Sequence, residues 1–134
     1  MADAIAIIPA RGGSKRIPRK NIRDFAGKPA ITWPIEAAKA SGQFSRIVVS
    51  TDDQDIAAVA QEHGAEVPFL RDPSLADDFT GTTDVIRDAV SKLALPLSNP
   101  VCCIYATALF VTSDDLAQGR DLLAEGATWV MSMA

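Results

Sequence analysis

The sequence predicts an α/β domain whose sheet is mostly parallel and carries helices on both faces. Two observations point there. The runs Ala4–Ile8, Arg46–Ser50 and Val101–Tyr105 are apolar almost throughout rather than at alternate positions, as strands covered on both sides must be. Between them lie segments with helical spacing, each opened by Ser, Thr or Asp and often stopped by glycine, so strands and helices alternate. With 134 residues, 48% of them hydrophobic, residues 1–134 suffice for one domain with a buried core, and no repeat or linker divides them.

Ala4–Ile8 is the first strand, ended by Pro9. From Arg11 to Lys28 there is no periodicity, yet Ile17, Ile22 and Phe25 anchor the stretch, which predicts an ordered, ligand-gripping loop at the strand's carboxyl end. A helix follows over Ile31–Ser41, with Pro34 in its first turn, Gly42 as its stop, and Ile35, Ala38 and Trp33 toward the sheet. After the strand Arg46–Ser50, Thr51 or Asp52 caps a helix over Gln54–His63, and Gly64 ends it. Glu66–Leu70 reads as a strand placed at an edge or bulge by Pro68. A loop over 71–78 leads to Thr82 or Thr83 as cap of a helix over Asp84–Ala94. The strand Val101–Tyr105, a helix Asp114–Ala124 capped by Ser113, and a last strand Thr128–Met133 complete the order.

Charge is unevenly distributed. Lys or Arg at 11, 15, 16, 19, 20, 23 and 28 against Asp3 and Asp24 leave residues 1–28 at +5, within a chain of net −4 whose remainder is therefore −9. An acidic protein with one basic loop is not built to coat nucleic acid or an anionic membrane; it is built to hold one compact anion. No stretch approaches the roughly 18 continuous apolar residues of a spanning helix, and the N-terminus lacks a signal peptide's order, so a cytoplasmic protein is expected. Cys102 and Cys103 are adjacent, which on a strand turns them to opposite faces, and they read as buried thiols rather than a disulfide. His63 sits in a last helical turn, where it complements the helix dipole; it has no evident partner for general-base work.

The basic loop, Arg11-Gly12-Gly13-Ser14-Lys15-Arg16-Ile17-Pro18-Arg19-Lys20-Asn21, suits a polyphosphate: glycines let backbone N–H groups turn inward while cations neutralise charge from outside. Composition alone leaves a solvated basic surface as an equal reading. The loop matches neither the Walker pattern nor the dinucleotide fingerprint. Asp52-Asp53 and Asp77-Asp78 are carboxylate pairs, but neighbours in sequence rarely converge on one ion, and helix capping or solvation is the plainer role; Asp84 similarly sits at a helix start.

The order of residues is more specific. Pro9 to Ile22 closely resembles the signature loop of the sugar-acid cytidylyltransferases, which make CMP-activated sialic, legionaminic and pseudaminic acids. Gly27-Lys28-Pro29, Ile47–Asp53, Gly64–Arg71, Leu75–Asp78 and Thr82–Val85 extend the resemblance over nearly the whole chain. Cys102–Ala108, with Arg16 and Arg19, looks most like the pseudaminic branch, although Leu109 stands where that branch usually has proline. The resemblance implies a Rossmann-like nucleotidyltransferase fold, truncated at its C-terminal end, that joins CTP to a nonulosonic acid. Arg11, Ser14 and Lys15, with the amides of Gly12 and Gly13, would hold the triphosphate. Lys20 would sit by the α-phosphate and, with Arg11, serve catalysis; Asn21, Arg71 and Thr82 would position cytosine and ribose. Tyr105, Thr107 and Phe110 would border the sugar acid. It also implies Mg²⁺, with ligands beyond residue 134 and none within this chain, and a homodimer in the complete enzyme. A CTP-binding module without turnover is the reading from another class, and legionaminic or N-acetylneuraminic acid the alternative substrate.

Overall fold

The computed structural model describes residues 3–13, 16–77 and 80–133. Its centre is β1 (Ala4–Pro9), which pairs in parallel with β4 (Phe44–Ser50) on one side and β5 (Val101–Cys103) on the other. Beyond β4 the chain touches the sheet again through single parallel bridges, Val48 to Glu66 and Thr51 to Leu70. The spatial order is therefore 66–70, β4, β1, β5. The expected strand Glu66–Leu70 is reduced to those two bridges, because Pro68 has no N–H to contribute between them.

Alternation along β1 divides the core. Ala6 and Ile8 pack with Ile35 and Ala38 of α1 (Thr32–Ser41) and Ile56 and Ala60 of α2 (Gln54–Glu62); Ile5 and Ile7 pack with Val48 and with Ala89 of α3 (Thr82–Lys92). Helices thus lie on both faces, and α4 (Ser113–Ala124) packs beside α1 through residues that include Leu116. Both faces of β1 are buried, which is why its sequence shows no polar alternation.

The helix boundaries follow local chemistry. Pro34 is the third residue of α1, where its missing N–H leaves no bond unmade, and Gly42 closes the helix in the left-handed region at φ 67°. The cap of α2 is Asp53, which accepts from the N–H groups of Asp55 and Ile56, rather than Thr51 or Asp52. Thr112, in a reciprocal capping box with Asp115, replaces Ser113 as the cap of α4, and α3 begins after Gly81 with Thr82 already helical. His63 caps the far end of α2, its carbonyl accepting from Lys39.

Three further features differ from expectation. The stretch 24–29 forms a hairpin, β2 (Asp24–Phe25) with β3 (Lys28–Pro29), turned by Ala26 and Gly27 at φ 50° and 96°, the positive pair that a two-residue hairpin needs. Trp33 leans toward this hairpin rather than the sheet: its indole N–H donates to the Phe25 carbonyl and Lys28 lies 3.9 Å from its ring centre. Residues 128–133 make no strand ladder among the described residues, and Trp129, Met131 and Met133 are exposed. An apolar run becomes a strand only where a neighbouring edge accepts it.

Cys102 and Cys103 are free thiols. Cys102 is half-buried, and Cys103 keeps exposed surface, contrary to the expectation of burial, because β5 is an edge strand among the described residues. Desolvation and the adjacent Cys102 nevertheless push the Cys103 thiol up to about 11. No helix among the described residues is long and apolar enough to cross a membrane.

Candidate functional site

The strand order reverses at β1, and ligands of open parallel sheets sit outside the carboxyl ends of the strands at such a point. A cleft of about 250 Å³ lies there. Pro9 and Arg11 at the end of β1 form its floor with Lys20 and Asn21, while Arg71, Thr80, Thr82 and Val85 form one side. Tyr105, Ala106 and Thr107, just past β5, form the other.

Asn21 holds the floor. The 3₁₀ turn Lys20–Ile22 buries it, its amide donates to the Arg11 carbonyl at 3.0 Å, and its own carbonyl accepts the N–H of Ile31. Lys20 is exposed beside it, at the open edge of the cleft.

Arg71 is the buried cation of the site, 4% exposed. Its Nη2 donates to the Ser50 carbonyl at 2.7 Å, its Nε to Ser50 Oγ at 3.2 Å and its Nη1 to the Leu75 carbonyl at 3.0 Å. All three acceptors are neutral. Burial lowers its pKa, with nearby Asp52 and Asp88 opposing and Arg11 reinforcing that shift. A guanidinium so placed remains charged at neutral pH and leaves a positive field in the cleft. Opposite it, Thr82 Oγ1 and the Tyr105 hydroxyl approach to 3.4 Å across the cleft.

Seven sequence-predicted residues thus meet: Arg11, Lys20, Asn21, Arg71, Thr82, Tyr105 and Thr107. Others lie elsewhere. The N–H of Gly12 donates to Asp52 Oδ1 at 2.9 Å, so it faces a carboxylate, and the Gly13 carbonyl accepts from Arg11. The ring of Phe110 packs edge-on to Phe25, centroids 6.0 Å apart, outside the cleft lining. Ser14 and Lys15, like Asp78, fall outside the described residues. The N–H of Leu109 donates to the Thr107 carbonyl at 2.8 Å, a bond proline could not make.

Sequence reasoning missed Pro9, Thr80, Val85 and Ala106 as lining residues. Thr80 is held by Asp77, which accepts from both its N–H and its hydroxyl, a short-range pairing that Asp followed three residues later by Thr could have suggested. The roles of Asp52 and Asp53 as acceptors for residues 12 and 19 join parts of the chain about forty residues apart and carry no local mark.

Fold and cleft together give an α/β protein with a ligand-sized site at the switch point of its parallel sheet. Among solved structures, CMP:2-keto-3-deoxy-manno-octonic acid synthetase complexed with CTP has the same fold, with a TM-score of 0.79 at 22% identity over 93% of this chain and 48% of that one. The chain belongs to the cytidylyltransferase family, whose model matches residues 5–132. It is 50% identical over 119 residues to the pseudaminic acid cytidylyltransferase of Campylobacter jejuni, covering 87% of this chain and 51% of that protein. Over 89 residues it is 52% identical to the CMP-N,N'-diacetyllegionaminic acid synthase of Legionella pneumophila, covering 66% of this chain and 37% of that enzyme. It spans about half the length, or less, of these curated relatives.

Proposed function

We propose that this chain is the nucleotide-binding portion of an enzyme that activates a nonulosonic acid, pseudaminic acid in particular, with CTP. A sugar hydroxyl attacks the α-phosphorus, the bond to the bridging β-phosphate oxygen breaks, and pyrophosphate leaves. The observation that carries the reading is the meeting of Arg11, Lys20 and Arg71 in one cleft at the sheet's reversal point. In such transfers a protein mainly positions groups and neutralises developing charge. Arg11, Gly13, Ser14 and Lys15 hold the triphosphate in this proposal, while Lys20 faces the α-phosphate and stabilises the departing pyrophosphate. Asn21, Arg71 and Thr82 frame cytosine and ribose. Tyr105 and Thr107 meet the sugar acid, with Phe110 at the margin. Family membership and the 50% identity to a pseudaminic acid cytidylyltransferase support the substrate. A homodimer, implied by the resemblance, and a cytoplasmic location belong to the proposal as well.

Mg²⁺ belongs to the proposal as the usual counter-ion of a triphosphate. The described residues do not fit such a site. They contain no group of three His, Cys, Asp or Glu able to hold a metal, and Asp52 and Asp53 already accept other hydrogen bonds. No step here is therefore routed through a metal; a CTP-binding module without turnover is the second reading. Calorimetry with CTP and Mg²⁺, followed by a pyrophosphate-release assay with pseudaminic, N,N'-diacetyllegionaminic and N-acetylneuraminic acids in turn, separates the two. Binding with release supports the enzyme, binding alone the module, and no binding overturns both.

A further inference from the structure

The basic loop is held from outside the cleft by carboxylates at the turn that starts α2. Asp52 Oδ1 accepts the N–H of Gly12 at 2.9 Å. Asp53, while capping α2, receives Nη1 and Nη2 of Arg19 at 2.9 and 3.3 Å, and the same Nη2 reaches Asp55 at 2.7 Å. Gly12 is needed for this approach, since a Cβ there would lie 2.5 Å from Asp53 Oδ2. Arg19 holds a left-handed backbone, φ 55° and ψ 36°, a conformation that a non-glycine residue keeps only where its surroundings over-determine it.

The two anchored residues are the immediate neighbours of two cleft cations. Gly12 follows Arg11, and Arg19 precedes Lys20. Both stems of a loop crowded with like charges are thus tied to one rigid element. Single exposed ion pairs contribute little, but a two-point Arg–carboxylate contact shared with a second carboxylate is the exception.

We propose that Asp52 and Asp53 are positioning residues, which with Arg19 form a latch that orders the two stems of the loop before any anion arrives and keeps Arg11 and Lys20 facing the cleft. They touch no ligand themselves. The consequence for CTP rests on the function proposed above; the latch itself does not. Ordering the loop in advance removes that cost from binding.

The test uses the 134-residue chain and two kinds of readout. Without nucleotide, hydrogen exchange at the Gly12 amide and tryptic cleavage after Arg16 and Lys20 report loop order. With nucleotide, calorimetry reports CTP affinity. Asp53→Asn keeps the helix cap, since Asn caps as well as Asp, but removes the charge that grips Arg19. Arg19→Ala removes the other partner, and Arg19→Gly also relieves the left-handed backbone. Each should speed cleavage and exchange and weaken CTP by about tenfold, the scale of one charge-assisted contact, with thermal stability near wild type. Arg19→Lys should fall between. The double variant Arg19→Ala/Asp53→Asn should be no worse than the worse single one, because both remove one interaction. Multiplying effects in the double variant, or unchanged exchange and cleavage in the single ones, would overturn the latch. If loop order responds as stated but wild type binds no CTP, the functional reading fails and the latch stands.

Discussion

Two boundaries of the cleft, its floor as the front wall and the side past β5 as the back wall, are built differently. The front wall, residues 10–13 and 16–31, is tied down at many points: Ala10 to Ser50, Asn21 to Arg11 and Ile31, Ala30 to Arg23, and the stems of the loop to Asp52 and Asp53. The back wall, residues 104–111, leaves Tyr105, Thr107 and Phe110 exposed and is shaped by short turns such as Ala108 to Tyr105. Its side-chain link across the cleft is the 3.4 Å approach of Tyr105 to Thr82. Groups with many buried or charge-assisted bonds resist reordering, and those with few do not. Among the described residues, the side proposed for the nucleotide is the more tightly tied, whereas the side proposed for the sugar acid has fewer bonds that fix it.

Substitutions can break that comparison. The largest effect is expected at β1, which both walls share. Ile7 is fully buried, and Ile7→Ala should cost about 2–5 kcal/mol, a large part of a domain's usual stability, so urea denaturation should show both walls lost together. Next is Lys20→Ala, expected to weaken CTP by about tenfold or more in calorimetry while leaving the urea midpoint in place, since Lys20 is exposed. The back wall should answer differently: Thr107→Ala in the complete enzyme should raise the KM for the sugar acid about threefold to tenfold with CTP affinity unchanged. Equal effects of Thr107→Ala on both substrates would erase the proposed division.

A smaller effect concerns pH. Burial tends to raise the pKa of Asp53, but the N–H groups of Ile56 and Asp55 and the Arg19 guanidinium outweigh it and hold it below the ordinary 3.8. A depressed carboxylate contributes stability that is present above its unfolded-state value and lost as pH falls through the folded one. The Asp55 and Ile56 amide resonances, whose N–H groups donate to Asp53, should therefore change as pH drops below 3.8, whereas those of residues 105–109 should not follow that titration. Phe110→Ala should do least, because the ring is exposed and meets mainly the edge of Phe25.

Much of the fold was legible in the residues. Continuous apolar runs marked β1 and β4 because both are covered on two faces, and Gly42 and Gly64 marked helix ends because they hold positive φ. The hairpin at 24–29 was legible in principle from Ala26-Gly27, but its strands are too short to show alternation. Of the site, Arg11, Lys20, Asn21 and Arg71 could be named in advance because the order of residues around them resembles the family's signature segments, whereas composition alone left a solvated basic surface as an equal reading. Arg71 could not be seen as a buried side chain bonded to Ser50 and Leu75, because burial is decided by segments remote in sequence.

By itself, then, the amino-acid order determined the α/β class, the strand ends where a ligand could sit, and the residue types offered there. These depend on local periodicity, on backbone freedom at glycine and proline, and on the order of a signature loop. The tertiary structure decided which apolar runs became strands: Val101–Cys103 found an edge on β1, while 128–133 paired with none among the described residues. It also brought the carboxylates at 52 and 53 to the basic loop, where they accept from Gly12 and Arg19. Strand pairing and ion pairing both need a partner brought close by the rest of the chain, and only folding supplies one.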